Sequence, residues 1–151
     1  MGTLYLVRHG QASFGAANYD QLSPRGLQQA QRLGAYWRAR GLRFDAVLTG
    51  TLQRHAQTLA GIGDELGPLP PAQALPGLDE YDSLALIRAI PPAPLAKPDT
   101  PELFRQHFRI LCDALAQWMG GTISPQGMPS WDDFSGGVHA ALELVRRAHA
   151  G

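Results

Sequence analysis

Leu4-Tyr5-Leu6-Val7-Arg8-His9-Gly10 is the stretch on which the reading of this chain turns. Four strand-forming apolar residues in a row, stopped by Arg-His-Gly, predict a short buried strand that ends in a loop. Residues 11–22 are small and polar, without a period. Ser23-Pro24 then supplies an N-cap and a first-turn proline, the usual opening of a helix. Leu27, Ala30, Leu33, Gly34 and Trp37 follow at helical spacing, and Gly41 sits where that helix should stop. Residues 44–49 (Phe-Asp-Ala-Val-Leu-Thr) predict a second buried strand, and residues 52–66 a second helix. Strand, helix, strand, helix is the order of an α/β domain built on a parallel sheet.

Further along, Ala72-Gln73-Ala74-Leu75 offers a short third strand inside a proline-rich connection. Residues 83–90 predict a brief helix closed by Pro91-Pro92. Residues 91–101 carry five prolines and read as a surface excursion. Thr100-Pro101-Glu102 opens a long helix whose apolar stripe is Leu103, Phe104, Phe108, Leu111, Leu115 and Trp118. After a loop at 120–129, Ser130-Trp131-Asp132-Asp133 matches an acidic capping box. Trp131, Phe134, Val138, Leu142 and Val145 then space out a last helix over 131–148, weakened by Gly136-Gly137.

Composition bounds the function. At 151 residues the chain has the length of one domain. Thirteen basic residues balance thirteen acidic ones, so there is no general attraction to nucleic acid or to an anionic membrane. One cysteine, Cys112, excludes an internal disulfide and any zinc site of paired cysteines. No other ligand cluster calls for a metal. No glycine-rich fingerprint follows the first strand, which disfavours an unrelated α/β nucleotide-binding domain. The apolar run at 4–7 is too short for a signal peptide or a membrane span, so a cytoplasmic location is expected.

In open α/β sheets, ligands bind beyond the carboxyl ends of the strands. Arg8-His9-Gly10 occupies that place after the first strand. Thr49-Gly50-Thr51-Leu52-Gln53-Arg54 occupies it after the second, with Arg54 on the opening turn of a helix. Guanidinium forks and helix N-termini both suit phosphate, so this convergence favours a phosphoryl ligand. The residues alone leave a second reading open, in which Arg54 is a surface arginine paired with a nearby carboxylate. His55 reads as a solvent-facing or supporting residue rather than a catalyst, and His107 as structural.

Leu6-Val7-Arg8-His9-Gly10-Gln11, followed by Asp20-Gln21-Leu22-Ser23-Pro24-Arg25-Gly26 and Gln29-Ala30, resembles the opening of the histidine phosphatase superfamily. Leu52-Gln53-Arg54-His55-Ala56-Gln57-Thr58 resembles that family's second phosphate-binding segment, and Leu78-Asp79-Glu80 the segment carrying its acid. The resemblance implies a phosphoglycerate mutase-like fold: three layers, a mostly parallel sheet and helices on both faces. It implies His9 as nucleophile, with its other ring nitrogen held by a backbone carbonyl. Arg8 and Arg54 would bind the phosphoryl oxygens, and Glu80 would protonate the leaving oxygen and then deprotonate water. Without the family, Glu80 reads as an exposed loop carboxylate. Gly10, Gln11, Ser13, Asn18 and Tyr19 would rim the substrate pocket. The expected ligand is a small phosphorylated substrate or inorganic phosphate, with neither metal nor cofactor.

The family also has a second catalytic histidine, late in the chain, between a buried strand and glycines. Ser135-Gly136-Gly137-Val138-His139 does not fit, because residues 126–134 cannot form that strand and His139 falls on the last helix. The chain is therefore expected to stop just before that strand. Three explanations stay open: a truncated chain, part of a longer one, or a short relative that forms a homodimer over the gap. Hydrolysis is expected over mutase-type transfer, because Leu78-Asp79-Glu80-Tyr81-Asp82-Ser83-Leu84 and the loop after Gly10 depart from the mutase pattern. A binding-only domain that keeps the arginines is the alternative outside catalysis.

Overall fold

A computed structural model of the chain describes residues 2–13, 18–91 and 99–149. The described residues form α1 (Pro24–Ala39), β1 (Val47–Thr49), α2 (Gln53–Leu66), β2 (Ala72–Ala74), a 3-10 turn (Pro76–Leu78), α3 (Ser83–Arg88), α4 (Pro101–Met119) and α5 (Trp131–His149). The fold is α/β. β1 and β2 pair in parallel, Val47 against Ala72 and Thr49 against Ala74, with α2 as the crossover between them. The chain divides into two compact units, residues 1–79 with 141–151, and residues 80–140.

In the first unit the two helices form as their caps dictate. The Ser23 hydroxyl accepts the Gly26 N–H at 3.1 Å, and Pro24 stands in the first turn. Gly41, at φ 65°, ends α1 where its sequence said it should. α1 and α2 pack on one another through Ala30, Trp37 and Ile62, flanked by Leu33, Leu42, Phe44, Leu66 and Leu69. A side chain at Gly34 would run into the Ile62 carbonyl, so glycine there lets the two helix backbones approach.

The strand expected at 4–7 is a correction. No ladder to those residues forms among the described ones, and Leu4, Tyr5, Leu6 and Val7 are 42–81% exposed. A strand exists only through its neighbours' hydrogen bonds, whatever its own propensity. Tyr5 still packs its ring edge-on against Trp37 and Phe44, at 5.8 and 5.5 Å between centroids. β1 is likewise shorter than the 44–49 expected.

In the second unit, Leu86, Ala114 and Trp118 form the core, with Tyr81, Leu111, Leu115, Trp131 and Phe134 packed around them. The Trp118 indole N–H donates to the Pro129 carbonyl at 3.1 Å, which satisfies the one polar atom of a buried ring. The stripe expected on α4 holds at Leu111, Leu115 and Trp118, but Phe104 and Phe108 are exposed. Most of the proline-rich excursion, residues 92–98, lies outside the described residues. Ser130 caps α5 by accepting the Asp133 N–H, and its hydroxyl donates to the Asp133 carboxylate. Gly136-Gly137 does not interrupt that helix. No helix among the described residues is long and apolar enough to cross a membrane.

Candidate phosphoryl site

The site is built where the loop after residue 8 meets the first turns of α1 and α2. Gly10 is buried, and a Cβ there would overlap the Gly26 backbone; one at Gly26 would overlap that of Gln11. Only paired glycines let the loop lie this close to the start of α1. The Gly10 N–H donates to the Thr58 hydroxyl at 3.1 Å, and that hydroxyl donates to the Arg54 carbonyl at 2.7 Å. The loop at His9 is thereby tied to α2.

His9 is half-buried, and its Nδ1 lies 2.6 Å from the carbonyl oxygen of Gly10. A carbonyl can only accept, so this contact places a proton on Nδ1 and leaves the lone pair of the neutral ring on Nε2. Arg8, His9 and Gly10 line a shallow cleft of about 260 Å³ together with Gln29, Ala30, Leu33 and Thr58. Arg8 itself is exposed.

Arg54 takes a different position. Its residue is 5% exposed, its guanidinium donates to Asp20 at 2.8 Å, and Tyr19 lies 5.6 Å from it, ring face on. Both sequence readings of Arg54 thus contain something of the structure, since it is buried near the loop of the site and also paired with a carboxylate. Asp20 does more than pair: its two oxygens accept the N–H groups of Gln53 and Arg54 at 2.8 and 3.3 Å, capping α2 from a distant loop. Leu52, at the N-cap position, has no side-chain cap of its own. Burial pushes the Asp20 carboxyl upward, but the Gln53 and Arg54 N–H groups and the guanidinium outweigh it and hold it below the ordinary value of 3.8.

The remaining candidates are less central. The Gln11 N–H donates to Gln29, and its side-chain oxygen accepts the Ser23 hydroxyl. Ser13 pairs through its backbone with Gln21. Gln11 fastens the loop to the start of α1, and Ser13 pairs with the stretch just before it. Asn18 donates to Gln53 at 3.1 Å, and Tyr19 sits over Arg54. Glu80 is half-buried and opens the second unit.

A second histidine stands beside the first. The rings of His9 and His55 lie 5.7 Å apart between centroids, tilted by 35°. Of the two readings given for His55, solvent-facing or supporting, its 12% exposed side chain beside His9 matches the supporting one. Its Nδ1 is 3.6 Å from an Asp79 oxygen, and Asp79 is fixed by the Thr51 N–H and hydroxyl. Asp79 was readable only as the neighbour of Glu80, and Thr58 and Asp20 only as letters of a motif. Their partners are remote in sequence, so no local pattern marks them. Among the described residues no three His, Cys, Asp or Glu side chains converge to hold a metal ion.

The family model of the histidine phosphatase superfamily (branch 1) matches residues 4–89. The chain is 39% identical over 70 residues to a 2,3-bisphosphoglycerate-dependent phosphoglycerate mutase of Xanthobacter autotrophicus, covering 42% of this chain and 34% of that protein. It is 38% identical over 63 residues to a broad-specificity phosphatase of Saccharomyces cerevisiae, covering 38% of this chain and 27% of the relative. The chain thus spans about a third of the length of these relatives. The solved structure of the protein histidine phosphatase SixA complexed with tungstate is similar over 46% of each chain, at 28% identity and a TM-score of 0.43.

Proposed function

Since the chain belongs to the histidine phosphatase superfamily, we propose that it hydrolyses a small phosphate monoester through a phosphohistidine on His9. The observation that carries this reading is the 2.6 Å contact from His9 Nδ1 to the Gly10 carbonyl. It orients the ring and leaves Nε2 to attack phosphorus as the ester P–O bond breaks. Glu80 gives its proton to the departing oxygen. Water then attacks the phosphohistidine, the N–P bond breaks, and the proton of that water returns to the Glu80 carboxylate. Arg8 and Arg54 stabilise charge on the phosphoryl oxygens during both transfers.

The relatives carry two names, mutase and phosphatase. A mutase-type reading would pass the phosphoryl group from His9 to a second hydroxyl instead of water. The segment Tyr81-Asp82-Ser83-Leu84 after the acid, unlike the mutase pattern, supports hydrolysis.

The test is an intact mass taken without acid after incubation with phosphoramidate. One added phosphoryl group, acid-labile and absent from His9→Ala, is the expected result. Orthophosphate released with no acceptor alcohol present would mark a phosphatase; a phosphate ester of an added alcohol, formed in place of orthophosphate, would mark a transferase. Turnover unchanged in His9→Ala would overturn the mechanism, and orthophosphate binding without any adduct would leave a binding domain.

A further inference from the structure

The family mechanism gives His55 no task, yet the structure builds a setting for it. Its ring stands 5.7 Å from that of His9, and its Nδ1 is buried on the side facing Asp79. Asp79 is held in turn by two groups of Thr51. Gly50 completes the arrangement: it is buried, and a Cβ there would overlap His55 Nδ1 and crowd the Asp79 carboxylate. The Asp79 and His55 side chains are 22% and 12% exposed, so their attraction is only partly screened by water. At 3.6 Å the contact is longer than a hydrogen bond and acts as the attraction between a carboxylate and an imidazolium, both of whose ring nitrogens carry protons.

Donors in this neighbourhood are partly committed. The Gly10 N–H is bonded to Thr58, and one arm of the Arg54 fork is bonded to Asp20. A phosphoryl group on His9 brings three oxygens that each need a donor. We propose that His55, as an imidazolium with Asp79 as its counter-ion, is a further catalytic residue that donates its Nε2–H to a phosphoryl oxygen of the group carried on His9. Asp79 is then a positioning residue, acting through His55. The inference rests on reading this cleft as a phosphoryl site.

The experiment measures orthophosphate affinity by calorimetry, and phosphoramidate-driven adduct formation by mass, in the parent chain and in His55→Phe, His55→Ala, Asp79→Asn and His55→Phe/Asp79→Asn. Loss of one charge-assisted donor should weaken orthophosphate binding in His55→Phe by about tenfold or more and slow adduct formation alongside it. Asp79→Asn should weaken binding less, and should add nothing in the His55→Phe background, which a merely structural carboxylate would not reproduce. Free imidazole should restore binding to His55→Ala. Parental affinity in His55→Phe overturns the proposal. Should His55→Phe fail to fold, parental affinity in Asp79→Asn together with no imidazole effect on His55→Ala overturns it equally. If the parent binds orthophosphate and His55→Phe does not, but no variant forms an adduct, the contact stands and the phosphohistidine reading falls.

Discussion

At the scale of single residues, Asp20 joins the site's parts. One carboxylate accepts two backbone N–H groups of α2 and the guanidinium of a buried arginine. Removing its charge leaves Arg54 without that counter-ion, so Asp20→Asn should destabilise the fold by about 1–2 kcal/mol near neutral pH. That is less than for a fully buried pair, because Asp20 still meets water. The sign with pH follows from a folded-state carboxyl held below 3.8. Its contribution is complete above the ordinary carboxylate value and is lost as pH falls through the lowered one. Urea midpoints of parent and variant should therefore differ at pH 7 and converge below about pH 4. Arg54→Ala should weaken orthophosphate binding whether the domain catalyses or only binds, and calorimetry would show it.

At the scale of elements, the start of α1 couples helix stability to the site. Ser23→Ala removes the cap and should cost about 0.5–2 kcal/mol in urea denaturation. Gly26→Ala should cost more than an ordinary helix glycine substitution, because the new methyl meets the Gln11 backbone. α1, α2 and β2 were legible because caps, glycines and apolar spacing are local signals. Of the site, Arg8, His9 and Gly10 were legible as a motif, and the structure gathers them in one cleft. Residues 4–7 were over-read for the opposite reason: β-propensity is a property of a half-buried surface, and the burial must come from elsewhere. Phe104 and Phe108 have the period of a core stripe, yet they are 51% and 66% exposed.

At the scale of the molecule, the described residues hold two small cores, one around Trp37 and Ile62 and one around Leu86 and Trp118. Trp118 is 1% exposed, so Trp118→Ala should remove about 3–5 kcal/mol from the second unit's stability. Loss of near-ultraviolet circular dichroism at lower urea would report it. The apolar run at 4–7 exposes its side chains and forms no ladder among the described residues, the combination that invites strand-to-strand association. Leu6→Lys, at a position 81% exposed, should lower light scattering on heating with little change in the urea midpoint.

The tie between Asp20 and α2 also sets how amide protons leave the molecule. The N–H groups of Gln53 and Arg54 rest on Asp20, and that of Leu22 rests on the Gln57 side chain, so the loop and the helix lock each other from both directions. These three amides should exchange with deuterium as one cooperative group. Asp20→Asn should speed all three together while leaving the Gly10 amide, held by Thr58, at its original rate.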